Sequence, residues 1–125
     1  MKVCNQSFDI TDNQITKYFN LWPFELSNFQ KWALYSILLG NDTLVCAPTG
    51  SGKTLPAEFS IHYFVKEKKQ KVIYTTPIKA LSNEKFYNLS KKFPDISFGL
   101  LTGDNKFNPE ADVLIMTTEI LLNTL

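Results

Sequence analysis

The sequence predicts an α/β domain with a parallel sheet, and three features point to it. The apolar runs TLVCA (43–47), KVIYTTP (71–77) and DVLIMTT (112–118) are continuous rather than alternating, the pattern of strands buried on both faces. Helical patterns follow two of them, LPAEFSIHYFVKEKK (55–69) and IKALSNEKFYNLSKKF (78–93). A glycine-rich stretch, APTGSGKT (47–54), joins the first run to the first of these helices. Strands alternating with helices give parallel strands with crossover helices packed on the sheet.

In chain order, residues 1–20 are polar and weakly patterned and read as an arm or loop, with the domain occupying 21–125. SNFQKWALYSILLGND (27–42) reads as a helix, with Ser27 as N-cap, Gly40 as the C-terminal stop, and Phe29, Trp32, Ala33, Ile37 and Leu38 as its apolar stripe. Cys46, inside the first apolar run, is expected as a buried thiol. KEKKQK (66–71) is a solvated helix end whose lysines suit the negative end of the dipole. Pro77 fits the first turn of the second helix. ISFGLLTG (96–103) is a weaker fourth strand. His62 falls within a helical pattern and reads as packing or surface.

Composition narrows the function. The 125 residues suit one modest domain or part of a larger one, with 44% hydrophobic and 20% charged residues as in globular proteins. Net charge is +1, so no global basic field exists and any grip on nucleic acid must come from local groups. All 13 basic residues are lysine, so this segment cannot supply an arginine finger. No apolar run approaches the ~18 residues of a membrane span, and MKVCNQSFDITDNQ lacks a signal-peptide core. Cys4 and Cys46 fit no metal spacing, which points to an intracellular, cytoplasmic or nuclear protein that is not secreted.

APTGSGKT has the residue types of a phosphate-binding loop. Such a loop needs small residues so that backbone N–H groups converge on phosphate oxygens, then Lys and Ser or Thr at the start of a helix. Here Thr49, Gly50, Ser51 and Gly52 form the cradle, Lys53 follows, and Thr54 opens the helix; Ala47 replaces the usual first glycine. Lys53 is placed to meet the β- and γ-phosphates, a contact worth ~4 kcal/mol at ~4 Å and an effective dielectric of ~20, before desolvation. Thr54 offers its hydroxyl to Mg²⁺. The expected ligand is therefore ATP with Mg²⁺, with Lys53 and Thr54 as the catalytic pair on this chain.

FELSNFQ (24–30) suggests how the base is read. A Gln carboxamide pairs at two points with adenine N6 and N7, worth ~1–3 kcal/mol of discrimination, whereas guanine presents two acceptors there. Gln30 is placed for that contact, and Phe24 can stack on the ring.

FELSNFQ, APTGSGKT, TTPIKALSNEK, GLLTGD and IMTTEIL stand in the order found in superfamily 2 helicases. Over roughly residues 22–125 the chain resembles the DExH-box RNA helicases of the superkiller-type, exosome-assisting class. The resemblance implies a RecA-like P-loop NTPase fold, here incomplete. It implies that Phe24 and Gln30 recognise adenine and that Gly50, Gly52, Lys53 and Thr54 bind phosphate and magnesium. It implies that Thr76, Pro77 and Lys79, then Thr102 and Gly103, then Thr117, Thr118 and Glu119 touch the backbone of single-stranded RNA. Single-stranded DNA is the near rival, because such contacts do not identify the sugar. Pro56 stands where the family usually has an aliphatic residue, which costs little in a first turn.

The family also needs an apolar strand ending in D-E-x-H, and the chain has none. DVLIMTTEI brings an apolar run to Glu119, but Thr117 and Thr118 stand where an Asp is required, and Asp104 and Asp112 lack a preceding apolar strand. The resemblance further implies, as partners, the remainder of the first RecA-like domain and a second one supplying arginines. The segment alone is thus expected to be inactive and, with strand edges uncovered, marginally stable. Rival readings are a module that holds ATP or nucleic acid without turnover, and a P-loop ATPase that is not a helicase.

Overall fold

Three of the apolar runs become neighbouring strands of one sheet, and their positions in it explain their burial. The computed structural model describes residues 2–46 and 52–124. It contains α1 (Asn13–Thr16), a 3-10 turn (Lys17–Leu21), α2 (Asn28–Leu38), α3 (Leu55–Ile61), a π-helical segment (His62–Glu67), β1 (Val72–Thr76), α4 (Lys79–Lys92), β2 (Phe98–Leu101), β3 (Lys106–Phe107), β4 (Val113–Thr117) and α5 (Thr118–Thr124). These fall into two units that divide between Ser60 and Ile61.

The second unit holds the sheet, in the order β1-β4-β2-β3. β4 runs parallel to both β1 and β2, and β3 returns antiparallel to β2. The register aligns Val72, Val113 and Phe98 in one cross-strand row and Tyr74, Ile115 and Leu100 in the next. Both rows belong to the apolar core, joined by Ile61, Val65 and Leu89. Val113 and Ile115 are fully buried because β4 is flanked on both sides. β1 departs from the expectation of two buried faces. It is an outer strand of the sheet among those described, its residues alternate, and Ile73 is 54% exposed. Gly99 is required where it stands. A Cβ there would meet the carbonyls of Phe107 and Asn108 and the Leu114 side chain, so only glycine lets β3 fold back onto β2.

α4 begins two residues later than Pro77. Ile78 is extended (φ −138°, ψ 156°) and serves as N-cap, so Pro77 precedes the helix rather than occupying its first turn. The Pro ring holds the preceding Thr76 in the strand conformation and so sharpens the end of β1.

The first unit is organised by α2. Ser27 caps it in a reciprocal capping box with Gln30. At its other end Gly40 (φ +83°) donates to Ile37 O at 3.0 Å and Asn41 N donates to Ser36 O at 3.1 Å, the paired bonds of a Schellman close. The stretch 2–20 is more than an arm. Phe8 packs edge-on against Trp32 at 5.0 Å, Trp32 Nε1 donates to Gln6 O at 2.7 Å, and the Asn28 side chain bonds both Gln6 O and Phe8 N–H. Such aromatic pairs add about 0.5–1.5 kcal/mol beyond area burial.

Residues 43–46 form no strand; Leu44 is 79% exposed and Cys46 is exposed rather than buried. The cause is the missing ladder. An apolar run becomes a strand only by pairing its backbone groups, and among the described residues nothing pairs with it.

Candidate functional site

In the first unit, Gln30 ties the start of α2 to the glycine before Lys53. Its side chain is buried, 5% exposed. Oε1 accepts from Ser27 N at 2.9 Å, and Nε2 donates to Gly52 O at 3.1 Å. Gly52 takes φ +90°, and a Cβ on it would run into Gln30 Nε2. Glycine is therefore needed here for both conformation and space. A carboxamide has two N–H donors and two acceptor lone pairs. One of each is engaged by these two bonds, which leaves one N–H and one lone pair outside them. Phe24 is 53% exposed and borders an open depression of about 580 Å³ that Phe19, Leu26 and Lys31 also line.

Gly52 O also accepts from Leu55 N at 3.3 Å, and Thr54 O accepts from Glu58 N at 3.0 Å, which starts α3 directly after Thr54. Lys53 is exposed, Thr54 is partly buried, and among the described residues Lys53 pairs with no carboxylate. Thr49, Gly50 and Ser51 lie outside the described residues. No group of three or more His, Cys, Asp or Glu able to hold a metal occurs among the described residues. Among the described residues of this loop, Thr54 is the one with a hydroxyl that could serve as a magnesium ligand. This fits Mg²⁺ carried mainly by phosphate oxygens and water, the usual habit of that ion.

In the second unit, the parallel register brings the other candidates to one edge of the sheet. Thr76 is opposite Thr117 and Leu101 opposite Met116, so the C-terminal ends of β1, β4 and β2 lie side by side. The residues that follow these ends are Pro77 to Lys79, Thr118 with Glu119, and Thr102 with Gly103. This is the edge where open parallel sheets bind ligands.

The hydroxyls at this edge are mostly turned inward. Thr76 Oγ1 donates to Ile78 O at 3.0 Å and lies 2.6 Å from Ser82 Oγ, a fully buried hydroxyl. Thr118 Oγ1 donates to Thr76 O at 3.2 Å and ties α5 to β1. Thr76, Thr102 and Thr117 are buried, whereas Pro77, Lys79, Gly103, Thr118 and Glu119 are exposed. Thr76 and Thr118 therefore hold the turns, and the groups turned outward include Lys79 and backbone amides. No side chain caps the N-terminus of α4, which leaves its first N–H groups pointing off this edge.

Two neighbours join the expected site residues at this edge. Ser82 locks Thr76 from within α4, and a buried Ser in a helix gives no sequence signal. Asp104 pairs with Lys79 and accepts from Thr102 Oγ1 at 3.3 Å. The hydrogen bond from Lys79 is the main reason its carboxyl titrates below the ordinary value, and the Lys79 charge adds to it. Its signal was present, since an Asp two residues after a Thr can share a ligand with it.

A family profile described as DEAD/DEAH box helicase matches residues 27–125. The chain belongs to that helicase family. It is 46% identical over 121 residues to Antiviral helicase SKI2 of Saccharomyces cerevisiae, covering 97% of this chain and 9% of that protein. It is 46% identical over 104 residues to Exosome RNA helicase MTR4 of Mus musculus, covering 83% of this chain and 10% of that one. These relatives bear out the resemblance to superkiller-type DExH-box helicases. Among solved structures, the Mycobacterium smegmatis helicase Lhr bound to ssDNA and AMP-PNP shares 30% identity at a TM-score of 0.60, over 88% of this chain and 17% of that one. A hypothetical ATP-dependent RNA helicase from Sulfolobus tokodaii matches at a TM-score of 0.63 and 20% identity, over 90% of this chain and 36% of that one. The expected α/β, parallel-sheet RecA-like fold of the P-loop NTPases is therefore present, and the chain spans about a tenth of the length of the curated relatives named here.

Proposed function

We propose that this helicase-family chain carries the nucleotide-reading and phosphate-binding elements of an ATP-dependent RNA helicase, with part of its strand-binding surface. The observation that carries the reading is the Gln30–Gly52 hydrogen bond, which joins the adenine-reading side chain to the glycine beside Lys53. Gln30 reads the adenine edge with its free donor and lone pair, while Phe24 covers the ring. Lys53 and the amides of 49–52 hold the triphosphate. Bound Mg²⁺ would offset triphosphate charge, with Thr54 as its ligand from this chain.

Lys79, the exposed amides at the start of α4, Gly103 and the turn at Thr117, Thr118 and Glu119 track the backbone of a single strand. Such contacts are insensitive to sequence and sensitive to salt. The carboxylates that orient water for hydrolysis, and the arginines of a second RecA-like domain, are not among these 125 residues. Turnover is accordingly assigned to the full-length gene product, in the cytoplasm or nucleus. RNA is the favoured strand because the relative MTR4 is named an RNA helicase. A DNA strand is the second reading, favoured by the ssDNA in the Lhr structure. ATPase assays of the full-length product with added single-stranded RNA or DNA decide between them. Stimulation by RNA and not DNA is expected; stimulation by DNA alone overturns the choice, and stimulation by neither sinks the helicase reading.

A further inference from the structure

Asp104 stands where the phosphate of a bound strand is expected. Its carboxylate pairs with Lys79, at the start of α4, and accepts from Thr102 Oγ1, just past β2. Thr76 and Thr118 direct their hydroxyls to internal acceptors, so Lys79 and Thr102 are the side-chain donors at this edge that meet an anion. That anion is the protein's own. We infer that Asp104 is an internal phosphate mimic, seated between Lys79 and Thr102 until a backbone phosphate of a single strand displaces it. The inference rests on the strand-binding reading above.

Three features suit exchange rather than permanent closure. The Asp104 side chain is 66% exposed and that of Lys79 47% exposed, so neither is walled in. Gly103, the preceding residue, has open space where a Cβ would stand, so that side of the turn carrying Asp104 is not packed against. An exposed ion pair is weak, because water competes for both partners. A phosphate diester anion offers Lys79 the same charge, and the chain-long series of phosphates on a strand supplies further contacts that Asp104 cannot. The mimic therefore lowers affinity without blocking binding, and it makes Lys79 available only when a strand arrives. An ordinary aspartate is ionised at neutral pH, and the hydrogen bond from Lys79 lowers the Asp104 carboxyl further, so the mimic carries its charge there.

The test measures affinity for a single-stranded oligonucleotide across a salt series, using the full-length gene product. Asp104→Asn retains an acceptor for Thr102 but loses the charge. It should tighten binding about two- to fivefold, the scale of an exposed ion pair. Its log K against log salt slope should match wild type, because Lys79 meets one phosphate in both complexes, whereas Lys79→Ala should flatten the slope by about 0.7. Asp104→Glu keeps the charge and should stay near wild type. Lys79→Ala should weaken binding, and adding Asp104→Asn to it should give no further gain. A gain that persists without Lys79 would reduce Asp104 to general repulsion and overturn the inference. Weaker or unchanged binding in Asp104→Asn would do the same, by making Asp104 a support for Lys79 or a bystander. If Lys79→Ala itself leaves affinity unchanged, the strand-binding reading of Lys79 fails first.

Discussion

Replacing Gln30 by Glu separates its two jobs. One carboxylate oxygen still accepts from Ser27 N–H, now 2.9 Å from Oε1, so the capping box survives. The other oxygen faces Gly52 O, now 3.1 Å from Nε2, with no proton to share. Losing that bond costs about 0.5–1.5 kcal/mol. A negative charge at the N-terminus of α2 returns about 0.3–1 kcal/mol. Gln30 is buried, so a carboxylate oxygen facing a carbonyl adds the penalty of an unsatisfied charged group, and Gln30→Glu should destabilise by about 1–3 kcal/mol, as should Gln30→Ala, which removes both bonds. Nucleotide binding should respond differently. A carboxylate cannot donate to adenine N7, so the two-point contact worth ~1–3 kcal/mol is lost. ATP should bind about five- to 150-fold more weakly, and any preference for ATP over GTP should collapse. Calorimetric titration of wild-type and variant full-length protein with both nucleotides, beside thermal melts, measures each quantity. A Gln30→Glu protein that still folds and keeps its ATP affinity and preference would refute the base-reading role. Gln30 would then be only a helix cap that braces Gly52.

Other expectations concern the second unit. Gly99→Ala should destabilise by about 1–3 kcal/mol in chemical denaturation, because its Cβ meets two carbonyls that cannot retreat without unpairing β3. Ser82→Ala removes the 2.6 Å bond to Thr76, whose hydroxyl keeps its donation to Ile78 O, and should cost about 0.5–1.5 kcal/mol, read as a lower Tm. Asp104 should show an NMR titration midpoint below the ordinary aspartate value of 3.8, since its pair with Lys79 favours the ionised form. The sign follows: the Lys79–Asp104 pair is intact above the ordinary value and opens only as pH falls through the depressed midpoint, so neutral and mildly acidic pH should leave it unchanged.

The fold was legible where local pattern and tertiary partners agree. α2 carried its apolar stripe with Ser27 and Gly40 at its ends, and β2 and β4 found neighbours on both sides. The failures share one cause: burial and pairing are properties of partners, not of the run itself. TLVC has the composition of a strand yet pairs with nothing among the described residues, and Cys46 is exposed with it. Ile73 has the same composition as its neighbours but lies on an open face of an outer strand. β3 is two residues long, too short for any period to show. The 2–20 stretch looked unpatterned because its contacts use single anchors such as Phe8 rather than a repeating stripe. For the candidate site, residue order put Thr76, Thr102 and Thr117 at the C-terminal ends of strands, where the structure has them, but did not say which atoms face outward. The hydroxyls of Thr76 and Thr118 are satisfied inside, and Lys79 already holds Asp104. Sequence names a donor; only geometry says whether it is free.

The most direct test of the whole account is RNA-stimulated ATPase of the full-length gene product carrying Lys53→Ala. Lys53 is exposed, and among the described residues it pairs with no carboxylate, so its loss should leave the melt unchanged. The account predicts that stimulated hydrolysis disappears while single-strand RNA binding without nucleotide persists. Stimulated hydrolysis at the wild-type rate would contradict it, because the 47–54 loop would then not be the seat of the triphosphate.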